Sequence, residues 1–208
     1  MSKAKKTAAL KRLADLYRRM DEAYAAAAAP IGLSCAGCAD SCCETVFRHH
    51  TYVEWAGLWD GLSRLPAPRL AEIRDAAGDW IRRHQNPLLP GVRPRVPCPL
   101  SEKSSEESSG ESPEGLRCGL YAVRPMVCRL HGVPNVLIHP RGGQSAFPGC
   151  DRAQALGKTC EPALLDRTPL LTELARLEMD LVGRERLGKL PRVDLTIAEM
   201  ILLGQPKI

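Results

Sequence analysis

"SCAGCADSCCE", residues 34–44, places Cys35, Cys38, Cys42 and Cys43 within nine positions and closes on an adjacent pair. A C-x2-C pair lets one tight turn aim two thiolates at a single metal while loop amides hydrogen-bond the sulfurs, so Cys35 and Cys38 read as metal ligands. Gly37 suits the close backbone approach. Consecutive side chains diverge, so Cys42 and Cys43 do not comfortably reach one ion. Either they serve different sites, or one of them packs or reacts instead.

Five further cysteines, Cys98, Cys118, Cys128, Cys150 and Cys160, bring the total to nine. An odd number, behind an N-terminus without the uninterrupted apolar run of a secretion signal, argues for a reducing compartment and for metal ligation over disulfides. The expected location is the cytoplasm. Cys98 is held between Pro97 and Pro99, which also remove amide donors from its surroundings. Cys118 and Cys128 flank "GLYAVRPMV", where a strand and a proline turn would bring their backbones together, and Cys150 follows the turn pair Pro148-Gly149. Two arrangements are open: two four-cysteine sites that use all but Cys160, or one site with four spare thiols.

Around this centre the periodicity is helical. Leu10, Leu13, Tyr17, Met20 and Tyr24 fall three or four apart and predict an amphipathic helix from Lys3 to Ala29, stopped by Pro30. Helices are predicted at 52–65 and 68–85, separated by Pro66. Another is predicted at 168–186, with Thr168 as N-cap and Pro169 at the first turn, and a short one over 195–203 beginning near Thr196. The five prolines of 86–99 exclude a regular helix, and the Ser- and Glu-rich stretch 101–115 reads as a mobile insertion. Short strands are expected at 118–123 and in "NVLIHP", with one helical turn at 127–130 between them.

The fold class expected is therefore mainly α with a small β element, an irregular cysteine-rich metal-binding centre wrapped by helices. Three parts are expected: an N-terminal helix (1–30), a cysteine-cluster domain (31–160) with its insertion at 101–115, and C-terminal helices packed on it (161–208).

Charge narrows the functions. The formal net charge of +5 is concentrated at the start, around Lys3, Lys5, Lys6, Lys11, Arg12, Arg18 and Arg19. Few aromatics are interleaved there for base stacking, which favours a solvated helix face over a nucleic-acid surface. No stretch approaches the roughly 18 apolar residues of a membrane span. Glycine-rich nucleotide loops and Ser/His/Asp arrangements are not evident. Four thiolates around Zn²⁺ or a 4Fe-4S core leave a net charge of about −2 that needs compensation when buried. Arg48, Arg117, Arg124, Arg129 and Arg152 lie close to cysteines in sequence, and Arg124 and Arg129 are the candidates retained for the cofactor. His131, three residues after Cys128, is the best histidine candidate, whereas His49, His50 and His139 read as surface or hydrogen-bonded histidines.

The elements "CAGCADSCC" (35–43), "PCPL" (97–100), "CGLYAVRPMVCR" (118–129) and "CDRA" (150–153) together resemble the YkgJ-type cysteine-cluster family, which is described as carrying a zinc- or iron-chelating domain. The resemblance spans about 35–153. It implies a metal set of Cys35, Cys38, Cys42, Cys43, Cys98, Cys118, Cys128 and Cys150, with Cys160 outside it. A flagellin lysine methylase among the relatives implies electron transfer or modification of a protein or peptide. The insertion at 101–115 and the terminal helices depart from the motif pattern. Ligands spread over more than a hundred residues favour one or two 4Fe-4S clusters over Zn²⁺, since compact zinc ribbons use two close C-x2-C pairs and this chain has one. A zinc-stabilised interaction module, or a metal storage or delivery protein without catalysis, is the alternative.

Overall fold

The computed structural model describes residues 2–35, 38, 42–85, 96–103, 116–160 and 162–208. Most of the proline-rich stretch and residues 104–115 of the Ser/Glu-rich insertion lie outside the described residues. In chain order the elements are α1 (Lys3–Ala28), α2 (Tyr52–Leu62), α3 (Ala67–Gln85), β1 (Ser101–Lys103), β2 (Leu116–Cys118), α4 (Met126–Leu130), β3 (Asn135–Ile138), β4 (Gln144–Phe147), α5 (Asp151–Leu156), β5 (Leu165–Asp166), α6 (Thr168–Val182), α7 (Arg184–Leu187) and α8 (Ile197–Leu203). Helix makes up 57% of the structure, beside two small sheets, so the mainly α architecture is as expected. Among the described residues no helix is long and apolar enough to cross a membrane.

The chain forms two compact units, one of Met1–Ala36 with Pro125–Leu190 and one of Gly37–Arg124 with Pro191–Ile208. In the first, α1 buries Ala9, Leu13, Leu16, Tyr17 and Met20 on one stripe. That stripe packs against α4 and against α6, whose buried face carries Leu174, Leu177 and Leu181. Each such leucine contributes roughly 1.5–3 kcal/mol on burial. The exposed pairs Arg12–Asp180 and Arg19–Glu173 beside the seam contribute about 0–1 kcal/mol each, so apolar burial decides the packing. The three-stranded sheet has the order β4-β3-β5, with β3 antiparallel to β4 and parallel to β5. Gly142 and Gly143, at φ 90° and 82°, make the β3–β4 turn possible.

Two boundaries differ from the sequence reading. Thr168 lies inside α6 rather than capping it, because its hydroxyl accepts the Ile138 amide at 2.8 Å and so joins the helix to β3. Asp166 takes over the turn, accepting the Thr168 amide at 2.8 Å. The helix ends at Val182, short of 186, where Gly183 adopts φ 89° and α7 begins in a new direction.

In the second unit, α3 packs on α8. The indoles of Trp55 and Trp59 both donate to the Met200 carbonyl, at 3.1 and 2.8 Å, and Trp55 also reaches the Gly204 carbonyl at 2.9 Å. They satisfy carbonyls that the end of a short helix leaves without intrahelical partners. Thr196 and Glu199 form a reciprocal capping box at the other end. The expected strand at 118–123 is instead a strand at Leu116–Cys118 followed by a single 3-10 turn at Tyr121–Val123. Val123 sits over Gly61 of α2, where any Cβ would crowd its methyls. The start of the insertion is also ordered: Ser101–Lys103 pairs with Leu116–Cys118 as an antiparallel ladder.

His49 and Leu195 form an isolated antiparallel bridge, with amide–carbonyl distances of 2.7 and 3.1 Å, and His49 is fully buried. Burial, reinforced by the nearby charge of His50, holds its imidazole down to about 4. An exposed histidine titrates near 6.5. Between these values the unfolded chain binds a proton that the folded chain refuses, so stability falls as pH drops through this window. The total loss is about 3 kcal/mol. Urea midpoints measured across the window should show this decline. His49→Gln should flatten the slope by about 1.4 kcal/mol per pH unit, and an unchanged slope in the variant would refute the assignment.

Candidate metal centre

All nine cysteines are thiols in the structure. Cys38, Cys42, Cys43, Cys98 and Cys118 belong to the second unit, and Cys35, Cys128, Cys150 and Cys160 to the first. The C-x2-C pair is thus divided between them.

Backbone pairing joins the segments that carry Cys43, Cys98 and Cys118 in the second unit. Cys42 and Cys43 begin a 3-10 turn, Cys42–Glu44. The Cys43 carbonyl accepts the Cys98 amide at 2.7 Å, which fastens the Val96–Leu100 segment to the cysteine loop. Three residues on, Ser101 stands opposite Cys118 in the β1–β2 ladder, and the Gly119 amide donates to the Leu100 carbonyl at 2.8 Å. Cys98 and Cys118, 20 positions apart in sequence, are neighbours for this reason. Glu102, paired with Arg69 at 3.0 Å, lays its carboxylate against Gly119, where a Cβ would collide with it.

The electrostatics of this group are uneven. A hydrogen bond from the Cys43 side chain holds the Cys42 thiol well below the ordinary thiol range, against the opposing effect of burial. The Arg124 guanidinium adds its charge and a 3.2 Å hydrogen bond from Nη2 to the Cys42 sulfur. Cys98 behaves oppositely: burial pushes its thiol up to about 12, relieved only in part by the Leu100 amide, which reaches past Pro99 to the sulfur. Negative charge at Cys118 and Cys42 raises it further, and Arg124 lowers it. The amide donor that flanking prolines were expected to deny Cys98 therefore comes from two residues further along.

In the first unit the Cys35 sulfur lies 3.5 Å from the Tyr24 hydroxyl. Tyr24 rests on Gly132, and the Gly132 carbonyl accepts the Cys150 amide at 3.1 Å. Cys128 is buried on α4, and Cys160 is exposed beside Thr159. Arg129 turns to Asp21, its Nη1 donating to both carboxylate oxygens at 2.8 and 2.7 Å, and stacks over Tyr17 with its guanidinium carbon 4.3 Å from the ring centre. Arg124 is thus the cofactor candidate seen on a thiol, while Arg129 meets a carboxylate. Arg48 pairs with Asp194. His131 packs on Phe147 with ring centres 5.1 Å apart, and His139 meets the Ser145 hydroxyl at 2.7 Å.

Among the described residues, no group of three or more His, Cys, Asp or Glu side chains is arranged to hold a metal ion. The residue types of the second unit are nonetheless those of a thiolate site: main-chain bonds join the segments carrying Cys43, Cys98 and Cys118, with a guanidinium on the Cys42 sulfur and an amide on that of Cys98, although the sulfurs are not gathered into one group. Sequence reasoning passed over Tyr24, which reads as one more member of the α1 core stripe, and Glu102, which falls in a polar stretch. No family model, curated protein or solved structure matches this chain.

Arg124→Met removes the cation from the Cys42 sulfur, so less Cys42 thiolate should be present at neutral pH. Alkylation of Cys42 by iodoacetamide in metal-free protein, followed by peptide mass spectrometry, should slow severalfold. A rate equal to that of the unsubstituted chain would show that the guanidinium does not sustain the thiolate.

Proposed function

We propose that this chain is a cytoplasmic, cysteine-ligated metal-binding protein of the YkgJ type, with an iron–sulfur cluster as its metal, acting in electron transfer or in modification of a protein or peptide substrate. The observation that carries the reading is the Arg124 guanidinium on the Cys42 sulfur, in a unit where backbone bonds join the segments that carry Cys43, Cys98 and Cys118. Holding a buried thiol such as Cys98 beside other sulfurs disfavours its thiolate, and a bound cation reverses that preference by displacing the proton. Cys98, Cys118 and either Cys42 or Cys43 would serve the metal of this unit, the other member of the adjacent pair facing a different site because consecutive side chains diverge. Arg124 would offset the excess negative charge of the thiolates, and the Leu100 amide would supply a hydrogen bond to sulfur. When bound, an iron–sulfur cluster supplies one-electron chemistry at a potential set by such hydrogen bonds and by exposure. Cys35, Cys38, Cys128 and Cys150 complete the proposed metal set, and Cys160 stays outside it.

The test is the iron, zinc and acid-labile sulfide content of protein purified without oxygen, together with its visible spectrum. Iron with matching sulfide is expected. Cys98→Ser and Cys118→Ser should each remove the same metal equivalent, and Cys160→Ser should leave the content unchanged. Zinc without sulfide would replace the redox reading by a zinc-stabilised module or a delivery protein. Full metal content in both Cys98→Ser and Cys118→Ser would overturn the assignment of these ligands.

A further inference from the structure

α1 and α6 run antiparallel, because Arg12 meets Asp180 and Arg19, further along α1, meets Glu173, further back along α6. The start of α1 therefore lies at the end of α6, where Gly183 at φ 89° turns the chain into α7. Packing thus brings two basic runs from distant parts of the sequence to one end of the helix pair: "KAKKTAALKR" at 3–12, which holds no acidic residue, and "RERLGK" at 184–189. Two of these cations are neutralised locally, Arg12 by Asp180 at 2.7 Å and Lys189 by Glu185 at 2.6 Å. Lys3, Lys5, Lys6, Lys11, Arg184 and Arg186 form no ion pair among the described residues, and all are exposed except Lys6, which is half-buried. The first turn of α1 carries no carboxylate, and cations there oppose the helix dipole, so these lysines do not serve the stability of α1. The exposed residues between them are Ala4, Thr7 and Ala8, while the apolar stripe of α1 is buried on α4 and α6.

We propose that the start of α1 and α7 together form a surface for the phosphate backbone of a nucleic-acid duplex. The charge of this surface complements a regular array of phosphates, and the carboxylates beside it, Asp180 and Glu185, are already paired. An anionic bilayer fits less well. Helices that bind one bury Leu, Phe or Trp in the interface, whereas alanine and threonine separate these cations. An acidic protein also fits less well, because protein interfaces centre on aromatic anchors and are depleted of lysine. The same lack of aromatics removes base stacking, and with it a single-stranded ligand. Contact with the phosphates of a duplex needs only cations, and it positions a protein without reading sequence. The basic start of the chain, read alone, is a solvated helix face; the arginines of α7 that extend it arrive through the α1–α6 packing. The surface holds no cysteine, so it stands whether or not the chain carries a metal.

The experiment titrates a fluorescently labelled DNA duplex of about 20 base pairs with the full-length protein and follows anisotropy between about 50 and 200 mM KCl. Six phosphate contacts predict a slope of log K against log salt of about −5, which is roughly a thousand-fold loss of affinity over that range. Lys5→Gln/Lys6→Gln and Arg184→Gln/Arg186→Gln should each make the slope shallower by about 2 and weaken binding at the lowest salt. Arg141→Gln, on the β3–β4 turn near the opposite end of α6, should change neither. All of these are surface substitutions, so thermal melting should stay in place. No duplex binding at the lowest salt, or binding that both double variants retain at full strength, would overturn the proposal. Loss in the lysine variant alone would overturn the joint surface, since α7 would then have no part in it. Capture of the protein by phosphatidylserine vesicles, with none by the duplex, would overturn the proposal in favour of a membrane.

Discussion

A guanidinium withdrawn from water has to be neutralised where it stands, and Arg129 meets that requirement in a way that organises the first unit. Its side chain is 2% exposed, its Nη1 shared between the two Asp21 oxygens and its guanidinium stacked on Tyr17, so a helix of only five residues, too short to be stable alone, is fixed against α1. Everything that follows α4 inherits that placement. Gly132 comes to rest on Tyr24, Cys150 is tied to Gly132, and Asn135 starts β3 with its side-chain amide on the carbonyls of Leu130 and Val133. Arg129, one of the two arginines expected beside the cofactor, thus also fixes the scaffold.

The second unit joins its cysteine-bearing segments by main-chain bonds. The Cys98 amide on the Cys43 carbonyl and the β1–β2 ladder bring together segments that sequence separates by a long polar insertion. Backbone hydrogen bonds specify register, and register fixes which sulfur faces which neighbour. The unequal protonation of Cys42 and Cys98 follows: one receives hydrogen bonds from Cys43 and Arg124, while the other is dominated by burial. In the adjacent pair, the Cys43 side chain favours the ionised form of Cys42 by hydrogen bonding. The far end of the same unit is closed by the two indoles on Met200, which hold the last helix to α2 through its carbonyls as well as its apolar face.

Helix positions were legible because burial on one face imposes a period of three to four residues, as in Leu13, Leu16, Tyr17 and Met20, and because Pro30, Pro66 and the Thr196/Glu199 box mark ends by local chemistry. Short strands were much less so. β1, β4 and β5 carry few apolar residues and exist because a partner strand satisfies their backbone groups, which no local pattern announces. The same distinction explains Thr168. Its hydroxyl and the following proline make a sound N-cap signal, yet the Ile138 amide, 30 positions away, takes the hydroxyl.

Sequence by itself determined the helical class and the main helix spans, because periodicity and proline act through local chemistry. Only the tertiary structure decided which thiols share a unit, that Arg124 reaches the Cys42 sulfur and Arg129 the Asp21 carboxylate, and that Tyr24 stands beside Cys35. Those outcomes depend on long-range register and on competition among charged partners for one guanidinium, and neither leaves a periodic trace in the chain.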